Sequence, residues 1–92
     1  MDESTGPAPK IEMFSGPGCA YCAATRALLE ARGLEYVEYD ISQPDHMEEY
    51  ARRLPRSRSI PQLFIGGTHI GSFEDLQILD GDGRLAQMTS DS

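Results

Sequence analysis

The chain has 92 residues, a formal net charge of −7 and two cysteines, Cys19 and Cys22. This length allows one small domain with a single core, and the acidic balance argues against a nucleic-acid partner, which requires a basic face. Two cysteines are too few for the disulfide framework of a small secreted scaffold, and no apolar run approaches the roughly 18 residues of a membrane span. We therefore expect a protein of the cytoplasm.

The two ends of the chain differ in composition from its middle. Residues 1–9 are rich in Pro, Gly and Ser and lack the apolar stretch of a secretory signal, which predicts a disordered lead-in. Residues 10–88 carry the periodic patterns and are expected to form the domain, followed by a frayed end at residues 89–92.

Strand-like and helix-like patterns alternate along the domain. Gly66-Gly67 between two short apolar runs is a strong hairpin signal, and Ser72 with Asp75 has the pattern of a helix capping box. The predicted elements are a strand at 10–15, a helix at 19–33, a strand at 34–41, a helix from Pro44 to Pro55, two strands within 61–71, a helix at 72–83 and a last short turn or helix at 84–88. This βαβαββα order predicts an α/β fold with one mixed sheet of four strands flanked by helices.

Apolar residues at strand or helix spacing indicate the core. The first strand should place its two aliphatic residues on one face, and each helix should turn one apolar stripe toward the sheet. The predicted buried positions are Ile11 and Met13 in the first strand, Leu28 and Leu29 in the first helix, Met47, Tyr50, Ala51 and Leu54 in the second, and Leu76 and Leu79 in the third.

Cys19 and Cys22 form a Cys-x-x-Cys pair between a predicted strand and a predicted helix. At a helix N-terminus, Cys19 would face unpaired N–H groups and the positive end of the helix dipole. Thiols at such positions have pKa values of roughly 3.5 to 7.5 instead of about 8.5, and the thiolate is the nucleophile of disulfide exchange. We therefore predict Cys19 as the nucleophile and Cys22, one turn later and less exposed, as the resolving thiol.

Two other roles for the cysteine pair carry less weight. A structural zinc site needs four ligands, and only His46 and His69 could complete the set, without the spacing of a zinc finger. Two inert buried cysteines are also disfavoured, because the Gly-Pro-Gly stretch directly before Cys19 indicates an exposed loop. We expect His69, in the hairpin, to be structural or exposed, and we predict no metal site built from protein ligands alone.

Four segments together resemble a dithiol glutaredoxin of the small bacterial type. They are the strand IEMFS, the motif CAYC, the segment SIPQLFIGGTHIG and the following SFEDL, in register from about Lys10 to Leu85. A thioredoxin is a poorer match, because that family has a tryptophan beside its first cysteine and this chain has none. The resemblance implies a thioredoxin-like fold, a cis bond before Pro61 that faces the active site, and glutathione-dependent reduction of glutathione mixed disulfides and protein disulfides.

The resemblance also implies a glutathione-binding groove, and the chemistry of the residues agrees with it. Free N–H groups near Phe73 and Glu74 suit the γ-glutamyl carboxylate, and Asp75 can accept from the ammonium group. Arg58 can pair with the glycine carboxylate, and the nearby Arg52, Arg53 and Arg56 could share that task. The expected glutathione contacts are Tyr21, Arg58, Ser59, Ile60, Pro61, Gly71, Ser72, Phe73, Glu74 and Asp75.

Two positions depart from the usual pattern of the family. Many glutaredoxins have a lysine three residues before the first cysteine, where this chain has Gly16. The helix terminus would then stabilise more of the thiolate charge, and Arg56 or Arg58 could compensate. Ala20 stands where the common motif has proline, so it restores an N–H that could point at the Cys19 sulfur.

In some family members the loss of that proline is associated with a [2Fe–2S] cluster. Cys19 thiolates from two chains and two glutathione thiolates would supply the four sulfur ligands that such a cluster requires. A cluster-bridged dimer that acts as a carrier or sensor is therefore the alternative function. The main expectation is a monomer whose partners are glutathione and glutathionylated or disulfide-containing proteins, without a nucleic-acid or membrane partner.

Overall fold

The computed structural model describes residues 9–89, so the expectations for residues 1–8 and 90–92 lie outside the described residues. The elements are β1 (Ile11–Ser15), α1 (Ala20–Ala31), β2 (Val37–Asp40), α2 (Pro44–Arg53), β3 (Gln62–Ile65), β4 (Thr68–Gly71), α3 (Phe73–Gly81) and α4 (Arg84–Thr89). This order confirms the predicted α/β fold, with the last short helix present.

Two predicted boundaries are wrong. The second strand was expected at 34–41, but Leu34 still closes the end of α1, where its N–H donates to the carbonyl of Leu29 at 3.0 Å. The strand therefore begins only at Val37. Thr89 was assigned to the frayed end, yet it ends α4, and its hydroxyl donates to the carbonyl of Leu85 at 2.8 Å.

The four strands form one mixed sheet in the order β2-β1-β3-β4. β1 is parallel to β2 and antiparallel to β3, and β3 and β4 form an antiparallel hairpin. The two central strands, β1 and β3, are buried at every position, including the polar residues Glu12 and Gln62. Helices therefore cover both faces of the sheet at its centre.

Successive side chains of a strand point to opposite faces, so β1 and β3 supply two different cores. We call the first the aliphatic face; its buried residues are Ile11, Met13, Leu63 and Ile65, packed with Leu29, Leu76 and Leu85 from the helices. We call the second the aromatic face; it is formed by Phe14, Phe64 and Tyr50. The aliphatic face was predicted from the apolar pattern, whereas the burial of the alternate residues of β1 was not.

The predicted packing stripe of α2 is only partly correct. Tyr50 is buried and Leu54 is half-buried, but Met47 is 43 % exposed and Ala51 is also exposed. The place next to Tyr50 is taken by Arg53, whose guanidinium lies over the rings of both phenylalanines of the aromatic face, 5.6 and 5.0 Å from their centres. A long basic side chain thus covers apolar surface that the spacing rule assigns to aliphatic residues.

Within residues 9–89, none of the helices has the length and apolar character needed to cross a membrane. The cytoplasmic location stays a prediction.

Candidate redox site

Cys19 is the N-cap residue of α1, as predicted. Its backbone is extended, and its Sγ accepts a hydrogen bond from the backbone N–H of Cys22 at 3.1 Å. Its carbonyl accepts from the N–H of Ala23 at 3.3 Å, which begins the helical ladder. The sulfur therefore occupies the position at which serine or aspartate oxygens usually cap a helix. The N–H that reaches it belongs to Cys22 and not, as the sequence suggested, to Ala20.

The two cysteines are joined by a disulfide bond, with their Cα atoms 5.2 Å apart. Cys22, in the first turn of α1, is completely buried, whereas Cys19 is half-buried and reaches the surface. The predicted difference in exposure is confirmed. One sulfur can meet an external thiol or disulfide, and the other can be reached only through the first.

The loop before Cys19 approaches the segment before β3 closely at Gly16. A Cβ atom on Gly16 would lie 2.8 Å from Cδ1 of Ile60, so the bare glycine leaves room for the Ile60 side chain. The bond between Ile60 and Pro61 is cis, as the resemblance implied. The carbonyl oxygen of Ile60 lies 3.8 Å from the Cys19 sulfur. The end of β1, the start of α1 and the start of β3 thus meet at this sulfur.

A cleft of about 240 Å³ lies beside this meeting point. The rings of Tyr21 and Phe73 border it, with their centres 6.0 Å apart, and Tyr21 is 63 % exposed. The lining residues are Tyr21, Ser59, Ile60, Pro61, Ser72, Phe73 and Glu74. Seven of the ten expected glutathione contacts therefore come together around one cleft. The other three, Arg58, Gly71 and Asp75, are not among its lining residues.

The start of α3 is organised by the predicted capping box. Asp75 Oδ2 accepts from the backbone N–H of Ser72 at 2.9 Å and from the Ser72 hydroxyl at 3.1 Å. Both bonds end on the same oxygen, so Oδ1 takes no part in them. Gly71 has a φ of +118°, and a Cβ there would lie 2.9 Å from the carboxyl carbon of Asp75. A glycine is required at this position for the carboxylate to close over the helix start.

The arginines near the cleft are not equivalent. Arg52 and Arg53 both bind Glu49, and these hydrogen bonds lower the pKa of that carboxyl to about 2. Arg53 also binds Glu12. Both arginines are thus already paired with carboxylates, and their expected share in anion binding stays a prediction. Arg58 is exposed, and its role stays a prediction.

Cys19 itself does not line the cleft of about 240 Å³ but a second, more polar one of about 480 Å³, which the sequence did not indicate. Three of the residues that line this second cleft are hydrogen-bonded to one another. The hydroxyl of Ser15 and a guanidinium nitrogen of Arg26 both donate to Glu38 Oε2, each at 2.6 Å. These bonds tie α1 to the ends of β1 and β2, and they fix the helix that carries Cys19 against the sheet.

The part of the chain that the structure describes holds no group of three or more His, Cys, Asp or Glu side chains able to bind a metal ion. His46 Nδ1 lies 3.2 Å from the carbonyl oxygen of Asp40, and His69 Nε2 lies 2.8 Å from Gln62 Oε1. The cluster alternative, which would also need a second chain and two glutathione molecules, gains no support from these residues.

Comparison with known proteins gives one consistent answer. The family model described as Glutaredoxin matches residues 11–70. A probable glutaredoxin from Synechocystis is 40 % identical over 77 residues, which cover 83 % of this chain and 88 % of that protein. The solution structure of a glutaredoxin from Brucella melitensis has a TM-score of 0.75 and 36 % identity, with 91 % of each chain covered. The crystal structure of a buckwheat glutaredoxin–glutathione complex has a TM-score of 0.76 and 27 % identity, covering 88 % of this chain and 76 % of that one.

Proposed function

Because the chain belongs to the glutaredoxin family of thiol–disulfide oxidoreductases, we propose that it uses glutathione to reduce glutathione mixed disulfides and protein disulfides. One observation carries this proposal. The half-buried sulfur of Cys19 caps a helix and lies 3.8 Å from the carbonyl oxygen of Ile60, which lines the adjacent cleft. The lining of that cleft combines two aromatic rings, the backbone before Pro61 and the start of α3.

The cleft has chemistry that suits glutathione, a tripeptide with two carboxylates and one ammonium group. The N–H of Ser72 is used by Asp75, so the unpaired N–H groups of the first turn of α3 are those of Phe73 and Glu74, and they can donate to a carboxylate. Asp75 Oδ1 can accept from the ammonium group. The related buckwheat protein forms a glutathione complex, which supports the same ligand here.

For a glutathione mixed disulfide, the Cys19 thiolate attacks the glutathione sulfur. A new S–S bond forms between Cys19 and glutathione, the original S–S bond breaks, and the substrate leaves as a thiolate that takes a proton from water. The thiolate of a second glutathione then attacks the bound one. Oxidised glutathione is released, and the Cys19 thiolate is restored.

For a protein disulfide, Cys19 forms the mixed disulfide with the substrate. The thiolate of Cys22 then attacks the Cys19 sulfur, the substrate leaves with both of its sulfurs reduced, and the Cys19–Cys22 disulfide remains. The disulfide-bonded pair corresponds to this oxidised product. Two glutathione molecules reduce it in two further exchanges, so Cys22 is needed for this route and not for the first one.

The test is an assay in which glutathione reductase couples the release of oxidised glutathione to NADPH consumption. The substrates are one peptide as its glutathione mixed disulfide, the same peptide as its cysteine mixed disulfide, and a protein disulfide. We expect Cys19→Ser to abolish all three reactions. We expect Cys22→Ser to retain reduction of the glutathione adduct and to lose reduction of the protein disulfide.

Two results would contradict the proposal in different ways. If Cys22→Ser stopped the reaction with the glutathione adduct, the roles of the two cysteines would be wrong. If the wild-type enzyme reduced the cysteine adduct as well as the glutathione adduct, the cleft would not recognise glutathione, although the dithiol chemistry would stand.

A further inference from the structure

A chain of hydrogen-bonded polar groups runs past the start of β3, beside the cleft. Gln62 is only 7 % exposed, yet both ends of its side-chain amide are hydrogen-bonded. Oε1 lies 2.8 Å from His69 Nε2 on β4. Nε2 donates to Ser59 Oγ at 3.0 Å and to Ser57 Oγ at 3.2 Å. Gln62 therefore connects an exposed residue of the hairpin to two serines of the loop that precedes the cis bond.

Tyr50 of α2 reaches the same loop from below. Its hydroxyl donates to the carbonyl oxygen of Ser59 at 2.8 Å and lies 2.9 Å from Ser57 Oγ. A tyrosine hydroxyl has a single proton, and a carbonyl oxygen can only accept. The proton of Tyr50 is therefore committed to Ser59, so in the other contact Ser57 must be the donor.

This assignment fixes the direction of every other bond in the chain. The proton of Ser57 is used on Tyr50, so Ser57 Oγ can only accept from the amide nitrogen of Gln62. The amide oxygen must then face His69, which donates through its Nε2–H. Ser59 Oγ accepts the second amide hydrogen of Gln62. The hydroxyl proton of Ser59 therefore has no acceptor within this network.

Ser59 is exposed and lines the cleft. We propose that Gln62, oriented by His69, is a positioning residue that holds the Ser59 hydroxyl with its proton directed to the cleft, as a donor to an acceptor oxygen of bound glutathione. This inference rests on the proposed function. If the amide were reversed, its oxygen would accept the Ser59 proton and the donor would be lost.

The test is a double-mutant cycle of Ser59→Ala and Gln62→Met in the coupled assay, with the glutathione mixed disulfide of one peptide as substrate. Methionine has nearly the shape of glutamine but makes none of its hydrogen bonds. We expect each single variant to raise KM about three- to tenfold, the range for one hydrogen bond, and to leave kcat within about twofold. The double variant should be no worse than Ser59→Ala alone, because Gln62 acts through Ser59.

Two controls separate positioning from a general loss of structure. Gln77→Met makes the same change on the exposed side of α3, and its KM should equal that of the wild type. The rate of alkylation of Cys19 by iodoacetamide should be the same in all variants.

His69→Leu, at an exposed position of β4, should raise KM about twofold when Ser59 is present and not at all in the Ser59→Ala background.

The inference would be overturned if the effects of Ser59→Ala and Gln62→Met on KM were additive, or if KM were unchanged in both Gln62→Met and His69→Leu. The proposed function would still stand in that case, provided that the wild type prefers the glutathione mixed disulfide to the cysteine mixed disulfide. Loss of that preference in the wild type itself would overturn the proposed function and the inference together.

Discussion

The two faces of the sheet are built from the same two central strands but with different chemistry. The side chains that define the aliphatic face are apolar and are held by burial without directional bonds. The aromatic face places Glu12, Arg53 and Tyr39 around its rings and continues into the network of Tyr50 and Gln62. The first face supports the helix that carries the cysteines, whereas the second holds the loop that forms the wall of the cleft. Apolar packing thus dominates one side of the sheet, and directional polar bonds are concentrated on the other.

The charged pair on the aromatic face is well satisfied. Arg53 donates to both carboxylate oxygens of Glu12, at 3.1 and 3.0 Å, and the Tyr39 hydroxyl donates to one of them at 2.8 Å. The guanidinium also lies over the rings of Phe14 and Phe64, where a cation is attracted by the π-electrons. A buried carboxylate with this many partners tolerates its burial, but it depends on each partner being in place.

The largest effect is expected from a change on the aliphatic face. Leu29→Ala removes a fully buried side chain of α1 and should lower the free energy of unfolding by about 2 to 5 kcal/mol, through lost burial and the cavity that remains. Ile78→Ala on α3, where the side chain is 60 % exposed, is the matched control and should change it by less than about 0.5 kcal/mol. Urea unfolding measures both.

KM for the glutathione mixed disulfide should not change in Leu29→Ala below the onset of unfolding. A raised KM would show that packing on the aliphatic face also affects the cleft, so that the two faces are coupled.

A smaller loss of stability, with a pH dependence, is expected on the aromatic face. Hydrogen bonding to Arg53 lowers the pKa of Glu12 below its ordinary value of 4.5, against the opposite effect of burial. Because the folded-state pKa is lowered, this carboxylate stabilises the fold fully above the unfolded-state pKa, and the contribution is lost as the pH falls through the folded-state value. Glu12→Gln should therefore lower the free energy of unfolding by about 1 to 3 kcal/mol at pH 7.

The check is urea unfolding at pH 7 and at pH 3. The difference between the wild type and Glu12→Gln should shrink at the lower pH, whereas Glu48→Gln, which removes a charge from an exposed position of α2, should have little effect at either pH. A difference that is independent of pH would mean that packing, and not the ion pair, accounts for the loss.

The aliphatic face and the cysteine pair could be predicted from the sequence, because both follow local rules. Ile11 and Met13 alternate as a half-buried strand requires, and Cys19 stands between a breaker and a run of helix formers. The aromatic face could not be predicted, because the residues that bind one another there are far apart in the sequence. Glu12 and Arg53 are 41 residues apart, and nothing in the spacing of either one indicates a partner.

The same reason explains what was missed at the site. The pattern IPQ marks the segment before β3, but the role proposed for Gln62 depends on four other residues from α2, the loop and β4 that only the fold brings together. The positions of Tyr21, Ser59 and Phe73 around one cleft were predicted through resemblance to a family, and their contacts with glutathione stay predictions.

The smallest effect is expected where the aromatic face meets the cysteine loop, at Gly16. A Cβ on this residue would press on the tip of the Ile60 side chain, 2.8 Å away, and would lie 3.7 Å from Cγ1 of Ile41. Both isoleucines pack on the aromatic face. Because a side-chain tip can move at little cost, Gly16→Ala should raise KM for the glutathione mixed disulfide only about twofold and change stability by less than about 1 kcal/mol.

Gly16→Lys adds the same Cβ together with the positive charge that many family members carry at this position. Its KM should be about two- to fivefold below that of Gly16→Ala at low salt, because glutathione is an anion and an exposed charge pair contributes up to about 1 kcal/mol. The difference should shrink at high salt, since the Debye length falls from about 10 Å at 0.1 M to about 3 Å at 1 M. If the two variants have equal KM values at low salt, a charge at residue 16 does not act on the substrate, and the glycine matters here only because it leaves room for Ile60 beside the Cys19 sulfur.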